Sequence, residues 1–433
     1  MLSLIGLLTG LGLLIVLTMR GFNLFITAPL CALLVAITNG IPFWQLADKL
    51  DFVHGYMSGF AGFVSAWFLM FLLGSLFGKL MEHTGAADAV ALAIVKKLGH
   101  TRAVLAIVIA CAVLTYGGVS LFVVAFSAYP MAVSLFKGAN LPRRFIPAAL
   151  ALGSVTFTMT SAGSPEIQNW IPIPYLGTTP YAGWQVSLLI AVFMAVGGYV
   201  SLMWMIKKAV QRGEHFIQRA SDPELSAQPL PNPLFGIIPL LVVLLLSYLL
   251  HDTLQQAALI VALTGGVVSL YLLNRRFLKN PATATNEGVL GALLAIGNTA
   301  AVVGFGSVAK LTPAFSDVVV FMTHLPGPEL IGAAVAVSAI AGLTGSASGG
   351  QVIALPELAP HYLAQGVNPE HLHRVVAISS GALDTLPHNG YVVTTIRAIC
   401  GESHQNAYWP MAVVTVLFPT AGVALAIFLF QWF

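Results

Sequence analysis

The stretch Gly74–Val90, GSLFGKLMEHTGAADAV, returns about 230 residues later as Val303–Val319, VGFGSVAKLTPAFSDVV. Each copy closes a glycine-containing apolar run with a lysine, Lys79 or Lys310, and follows it with an acid. The echo continues outward at nearly the same offset. TYGGVSL around Gly117 and Gly118 answers SASGGQV around Gly349 and Gly350, and KGANLPRRF (Lys137–Phe145) answers AQGVNPEHL (Ala364–Leu372). A constant offset across three unrelated-looking motifs makes an internal duplication the economical reading. Arg20 ends the first apolar run and reads as inside, whereas the matching run of the second half ends at His251 and Asp252, read as an outer turn. The repeats are therefore expected to cross in opposite directions, a layout of many secondary transporters.

Composition puts that duplication in lipid. Hydrophobic residues make up 58% of the 433 and charged residues 8%, against about 25% charged in an ordinary soluble domain; the mean hydropathy is +0.88. Leu2–Met19 has neither a basic stretch ahead nor a small-residue cleavage site behind, so it reads as a retained first span rather than a signal peptide. A formal net charge of +3 gives no footprint for nucleic acid. Cys31, Cys111 and Cys400 lack ligand spacing and read as small hydrophobes.

Apolar runs bounded by charge, Gly or Pro are expected as spans at 2–19, 24–37, 64–80, 103–114, 119–136, 145–160 and 184–206 in the first half. The second half offers 234–250, 254–273, 289–309, 330–343, 352–363, 375–386 and 408–430. Several are too short to cross as regular helices. The run into TYGG and the run stopped at Pro356 read as re-entrant hairpins or interrupted helices. The expected organisation is a first repeat at 1–206, a central loop at 207–233 and a second repeat at 234–433, all α, with the basic loop on the cytoplasmic side.

Four polar islands interrupt the apolar runs: 116–120, 161–170 (SAGSPEIQNW), 344–351 and 379–390, the last ending in DTLPHNG. They pair across the duplication, first with third and second with fourth. Backbone freed inside a membrane must line protein or water, and helix N-termini there favour an anion. The candidate ligand-binding residues are Gly117, Gly118, Ser120, Ser161, Ser164, Gln168, Asn169, Thr344, Ser346, Ser348, Gln351, Ser379, Thr385, His388 and Asn389. Taken singly, each small residue reads equally well as tight helix packing. Asp384 and His388, with Glu166 in the matching island, are candidates for proton coupling, because ionisable groups at membrane depth are functional by default. Against this stands a purely structural role in locking the loop. Glu82, His83 and Asp88 beside Lys79 read as a solvated boundary, and Arg143, Arg144 and His371–Arg374 as interfacial anchors. Phosphate loops, HExxH, dense Cys/His sets and a nucleophile elbow are all missing from the sequence, so neither an enzyme nor a cofactor or metal requirement is indicated. An intramembrane enzyme or receptor remains the alternative class.

FGKLMEHTGAAD, KGANLP, GSASGGQVIALPELA with QGVNPE, and SSGALDTLPHNG together resemble the gluconate permease family, part of the wider ion transporter superfamily. The resemblance spans nearly the whole chain. It implies proton-coupled uptake of a small organic anion across the inner membrane by a multi-pass homodimer with elevator movement; sodium is the alternative coupling ion, because the islands' hydroxyls and unwound carbonyls could ligate Na⁺ as readily as they surround an anion. It implies that 117–120 and 344–351 are re-entrant regions and that 161–169 and 379–389 are broken-helix loops. Gluconate carriers have a His-Gly start and a second histidine in the first loop, where this chain has SAGSPEIQNW; its LPHNG also replaces an Asp-Pro-Gly ending. Fewer polar groups fit a ligand with fewer hydroxyls. The DTLPHNG loop resembles family members associated with hydroxybutyrate and other short acids, and that resemblance implies a short hydroxy acid such as 3-hydroxybutyrate as the substrate, with gluconate, citrate or a dicarboxylate as the alternative.

Overall fold

Asp51 opens the longest helix of the protein by accepting the backbone N–H of His54 at 2.8 Å and that of Gln45 at 2.8 Å, an N-cap that satisfies otherwise orphaned donors. In this computed structural model residues 2–45, 50–98, 102–219, 222 and 229–432 are described. Parts of the expected central loop, 220–221 and 223–228, lie outside them. The first half runs α1 (Leu2–Met19), α2 (Leu24–Thr38), α3 (Phe52–His83), α4 (Ala86–Leu98), α5 (Ala103–Tyr116), α6 (Leu121–Gly138) and α7 (Ile146–Ala151). A π turn (Leu152–Thr156), a 3₁₀ turn (Ile167–Asn169), α8 (Ile173–Leu176) and α9 (Trp184–Gln211) complete it. The second half runs α10 (Pro233–Leu254), α11 (Ala257–Asn274), α12 (Pro281–Lys310), α13 (Pro313–Thr323), α14 (Leu330–Thr344), α15 (Ala347–Ala364) and α16 (Pro369–Ser380). After a loop come α17 (Gly390–Val393), α18 (His404–Ala412) and α19 (Phe418–Leu429), with π turns at Thr394–Ile399 and Val413–Leu417. The protein is an all-α polytopic membrane fold. Among the described residues, seven helical segments are long and apolar enough to cross a bilayer.

Helices α3 and α12 pack along their whole lengths and run antiparallel. Tyr56 Oη donates to Ala301 O at 3.1 Å, whereas Ser75 Oγ donates to Gly288 O at 2.8 Å, so the numbering rises on one helix as it falls on the other. Small residues permit the approach: a Cβ on Gly59 would lie 2.9 Å from Val303 O. The flanking pairs are exchanged between halves. α1 and α2 pack on α12 and α13, and α10 and α11 on α3 and α4. Leu7, Leu11, Val35 and Phe305 belong to the separate apolar cluster that α1 and α2 make with α12.

Several sequence expectations shift. The span expected from residue 64 starts at Phe52, because the polar interruptions at His54 and Ser58 are absorbed in a capped helix. Pro356 does not stop its run: α15 continues through Pro356 and Pro360 to Ala364. The short helices α4 and α13 had no counterpart among the expected spans.

The described part of the central segment is tied to both halves by ion pairs. Arg144 meets Glu214 with Nε at 2.6 Å and Nη2 at 2.9 Å, Arg143 meets Asp222 at 2.7 Å, and Arg219 meets Glu402 at 2.7 Å. Arg143 is also 3.2 Å from Glu402, which joins the loops after α6 and before α18. Arg143 is thus buried in a charge network rather than anchored at an interface.

Candidate functional site in a cavity between two helical hairpins

Two hairpin turns face a common cavity. The α5–α6 turn is made by Gly117 to Ser120, and the α14–α15 turn by Gly345 and Ser346. Gly118 (φ +94°) and Gly345 (φ +60°) take left-handed backbone that a side chain resists. At Gly350 a Cβ would stand 2.8 Å from the backbone nitrogen of Ala341, so the second hairpin closes only over glycine. Ser346 caps α15 by accepting Gly349 N–H at 3.1 Å, while Ser120 makes no such side-chain cap on α6. The first-turn amides of α6 therefore lack a side-chain acceptor and carry the positive end of the helix dipole.

The cavity has a volume of about 560 Å³. Of the residues expected from sequence, Gly118, Ser120, Glu166, Gln168, Thr344, Ser346, Ser348, Asp384, Thr385 and Asn389 line it. Asp384 is 5% exposed, and its Oδ1 has no hydrogen-bond partner. Gln168 likewise has a buried Oε1 without a partner. Asn389 holds the loop against the hairpin, donating Nδ2 to Gly345 O at 2.9 Å while its Oδ1 caps α17 through Val392 N–H at 3.0 Å. Thr385 Oγ1 donates to Thr415 O at 3.1 Å, a carbonyl in a π turn.

The remaining expected residues lie behind this lining. Gly117 packs on α10, where a Cβ would come within 2.6 Å of a Leu240 methyl. The Ser161 hydroxyl donates to Phe157 O. Ser164 is fully buried, and its carbonyl accepts from Trp170 Nε1 at 3.3 Å. Ser379 O accepts Ser338 Oγ at 3.0 Å. Gln351 links the halves, donating Nε2 to Gln168 O at 3.1 Å and to Ser380 Oγ at 3.0 Å. His388 is not in the lining; its ring sits against Gly345, with Nε2 3.1 Å from where a Cβ would be. Among the described residues, neither a hydrogen bond nor an ion pair joins it to Asp384, and His388 Nε2 and Asp384 Oδ1 are each without a hydrogen-bond partner.

Sequence reasoning missed four contributors. Arg374, expected as an interfacial anchor, is fully buried and holds the 157–183 loop through Thr160 O (2.7 Å), Asn169 Oδ1 (2.7 Å), Ala182 O (2.9 Å) and Pro180 O (3.1 Å). Lys79 lines the cavity from α3, and Asn298 and Thr299 line it from α12. The i, i+4, i+8 spacing of Phe71, Ser75 and Lys79 was the available signal for α3.

Comparisons with known proteins agree with this architecture. The family model of the GntP family permeases matches residues 2–300. An uncharacterized transporter of Bacillus subtilis, YxjC, is 37% identical over an alignment that covers 99% of each chain. A low-affinity gluconate transporter of Escherichia coli is 26% identical across 48% of this chain and 44% of its own. Among solved structures, the YdaH transporter of Alcanivorax borkumensis superposes with a TM-score of 0.60 at 14% identity, covering 94% of this chain and 98% of that one, a likeness of fold. The catalytic alternative falls with these matches, for the family consists of transporters. With a family model matched over residues 2–300 and a relative aligned along its full length, the chain belongs to the GntP family of permeases.

Proposed function

We propose that this permease is a proton-coupled secondary transporter of a small hydroxy-carboxylate, with gluconate as the first substrate to test. One observation carries the reading. The first turns of α6 and α15, one from each half, line the same cavity as Asp384, whose Oδ1 has no partner. Positive helix ends select a carboxylate, the hydroxyls of Ser120, Ser346 and Thr344 match its alcohol groups, and a carboxyl with a free oxygen can carry the proton.

The short acid put first by the sequence now stands second. The named gluconate transporter among the relatives favours a polyhydroxy acid. Polar groups outside the first loop, Ser75, Asn298, Thr299 and Thr394, supply more partners in the cavity than that loop alone provides. 3-Hydroxybutyrate keeps one specific support, the lack of histidine in Ser161–Trp170.

The antiparallel run of α3 and α12 supports two inverted repeats at 1–206 and 234–433 about a cytoplasmic loop at 207–233 in the inner membrane. In this reading the two hairpins and their broken-helix loops move as a unit against the α3–α12 pair in an elevator stroke. The test is uptake of labelled gluconate and of 3-hydroxybutyrate into proteoliposomes under an imposed proton gradient, then a sodium gradient. Proton-driven accumulation of either acid is the expected result; transport driven by sodium alone, or of neither acid, would overturn the proposal.

A further inference from the structure

Among the described residues that line the cavity, Lys79 is the only lysine or arginine, and the other charged types are the acids Glu166 and Asp384. An organic anion in this space meets two carboxyls and one ammonium, and only the ammonium attracts it at every protonation state of the acids. Lys79 ends a stripe of α3 formed with Phe71 and Ser75, which places it two helical turns, about 12 Å of helix axis, beyond Phe71.

Its present partners are two carboxylates. Nζ lies 2.9 Å from Glu82 Oε2 on its own helix and 3.5 Å from Glu287 Oε2 on α12. His83 Nε2 meets the same Glu287 oxygen at 2.9 Å, so Glu287 keeps a partner when Lys79 turns away. The side chains of Lys79 and Glu287 are 24% and 43% exposed, which makes their ion pair exchangeable rather than locked. The repeat breaks its own symmetry at this point: Lys310, the counterpart in the second half, pairs with Glu357 at 3.5 Å and is absent from the lining.

We propose that Lys79 receives the carboxylate of the transported acid on the α3 side of the cavity, and that Glu82 and Glu287 occupy it as internal carboxylates when substrate is absent. This inference rests on the carrier function proposed above and adds to it a residue that sets preference for an anion. The hairpin turns line the same cavity, and Gly78 packs against Val123 in the first turn of α6, so Lys79 adds its charge beside the positive end of that helix.

The experiment is uptake of labelled gluconate and 3-hydroxybutyrate into proteoliposomes by the full chain and by Lys79→Gln, Lys79→Arg, Glu287→Gln and Lys310→Gln. Lys79→Gln should raise KM for the acid about tenfold with maximal rate within about twofold. Lys79→Arg should recover most of that loss, and Glu287→Gln should lower KM by removing one competitor. Lys79→Gln with unchanged KM, or with KM and rate altered no differently from Lys310→Gln, would overturn the inference while leaving the carrier function standing. A wild-type chain that moves no carboxylate would overturn both.

Discussion

Arg374 Nη1 donates to Asn169 Oδ1 at 2.7 Å, across 205 residues of chain, with no carboxylate beside it in the hydrogen-bond network. A fully buried guanidinium is tolerated because three backbone carbonyls complete its acceptor set. Asn169 passes the constraint on, donating Nδ2 to Met159 O at 3.0 Å. One residue further back, Gln168 faces the cavity and its carbonyl receives Gln351. The second half thereby fixes the loop that presents the first half's ligands.

Replacing Arg374 by Met should leave those acceptors unpaired at membrane depth, at a cost of about 3 kcal/mol. Arg374→Lys, with one ammonium for four acceptors set around a planar fork, should recover only part of it. Thermal midpoints in detergent, read beside uptake rates, check this. Equal midpoints for wild type and both variants would mean that the loop is held by other contacts.

Asp384→Asn keeps the shape of the side chain but removes the proton site. Gradient-driven accumulation should fall more than about tenfold while counterflow of labelled acid, which needs no net proton movement, persists. His388→Ala should affect coupling less, since that ring lies outside the cavity lining. The reverse order, with His388→Ala abolishing accumulation and Asp384→Asn retaining it, would reassign the proton to His388.

The hairpins left a mark in sequence because glycine is needed at each, in the turn at Gly118 and Gly345 and, within α15, at the close approach of Gly350 to Ala341. TYGG and SASGG announced both cavity-facing turns. Arg374 was not legible. HLHR at the start of an apolar run has the composition of a membrane-interface belt, and its burial depends on carbonyls from residues 160–182, which no local pattern reports. Pro356 misled for a related reason: local chemistry argues a break, yet neighbouring helices keep α15 continuous through it. Polar islands could not say which residues turn and which stay helical, nor which side chain faces inward: of 344–351 only Gly345 and Ser346 form the turn, and Ser348 and Gln351, three residues apart on α15, end up in the lining and behind it.

Gly345→Ala combines two penalties. Its φ of +60° disfavours a side chain by about 1 kcal/mol, and the new Cβ would press on the His388 ring at 3.0 Å. The variant should lose transport through distortion of the α14–α15 turn. Adding His388→Ala removes the contact but not the backbone strain, so partial recovery of uptake in the double variant is expected. Recovery to no extent would place the whole effect in the backbone.

Acid sensitivity should appear in the central segment. The Arg144 guanidinium holds the Glu214 carboxyl below its usual value. A carboxyl whose folded value is depressed stabilises the folded state above the unfolded value of about 4.3 and loses that contribution as pH falls toward the folded one. At neutral pH the pair is intact, and the segment around Glu214 stays docked beside Arg143 and Glu402. The side chains are about a third exposed, so solvent screening limits the effect to under about 1 kcal/mol. Glu214→Gln should lower the thermal midpoint slightly at pH 7 and flatten its decline between about pH 5 and 3. Hydrogen exchange over residues 213–219 should rise in the variant at pH 7 and match wild type once the pH is below the folded value. An exchange rate in wild type that does not change over this range would show that Arg144 and Glu214 contribute nothing to docking the segment.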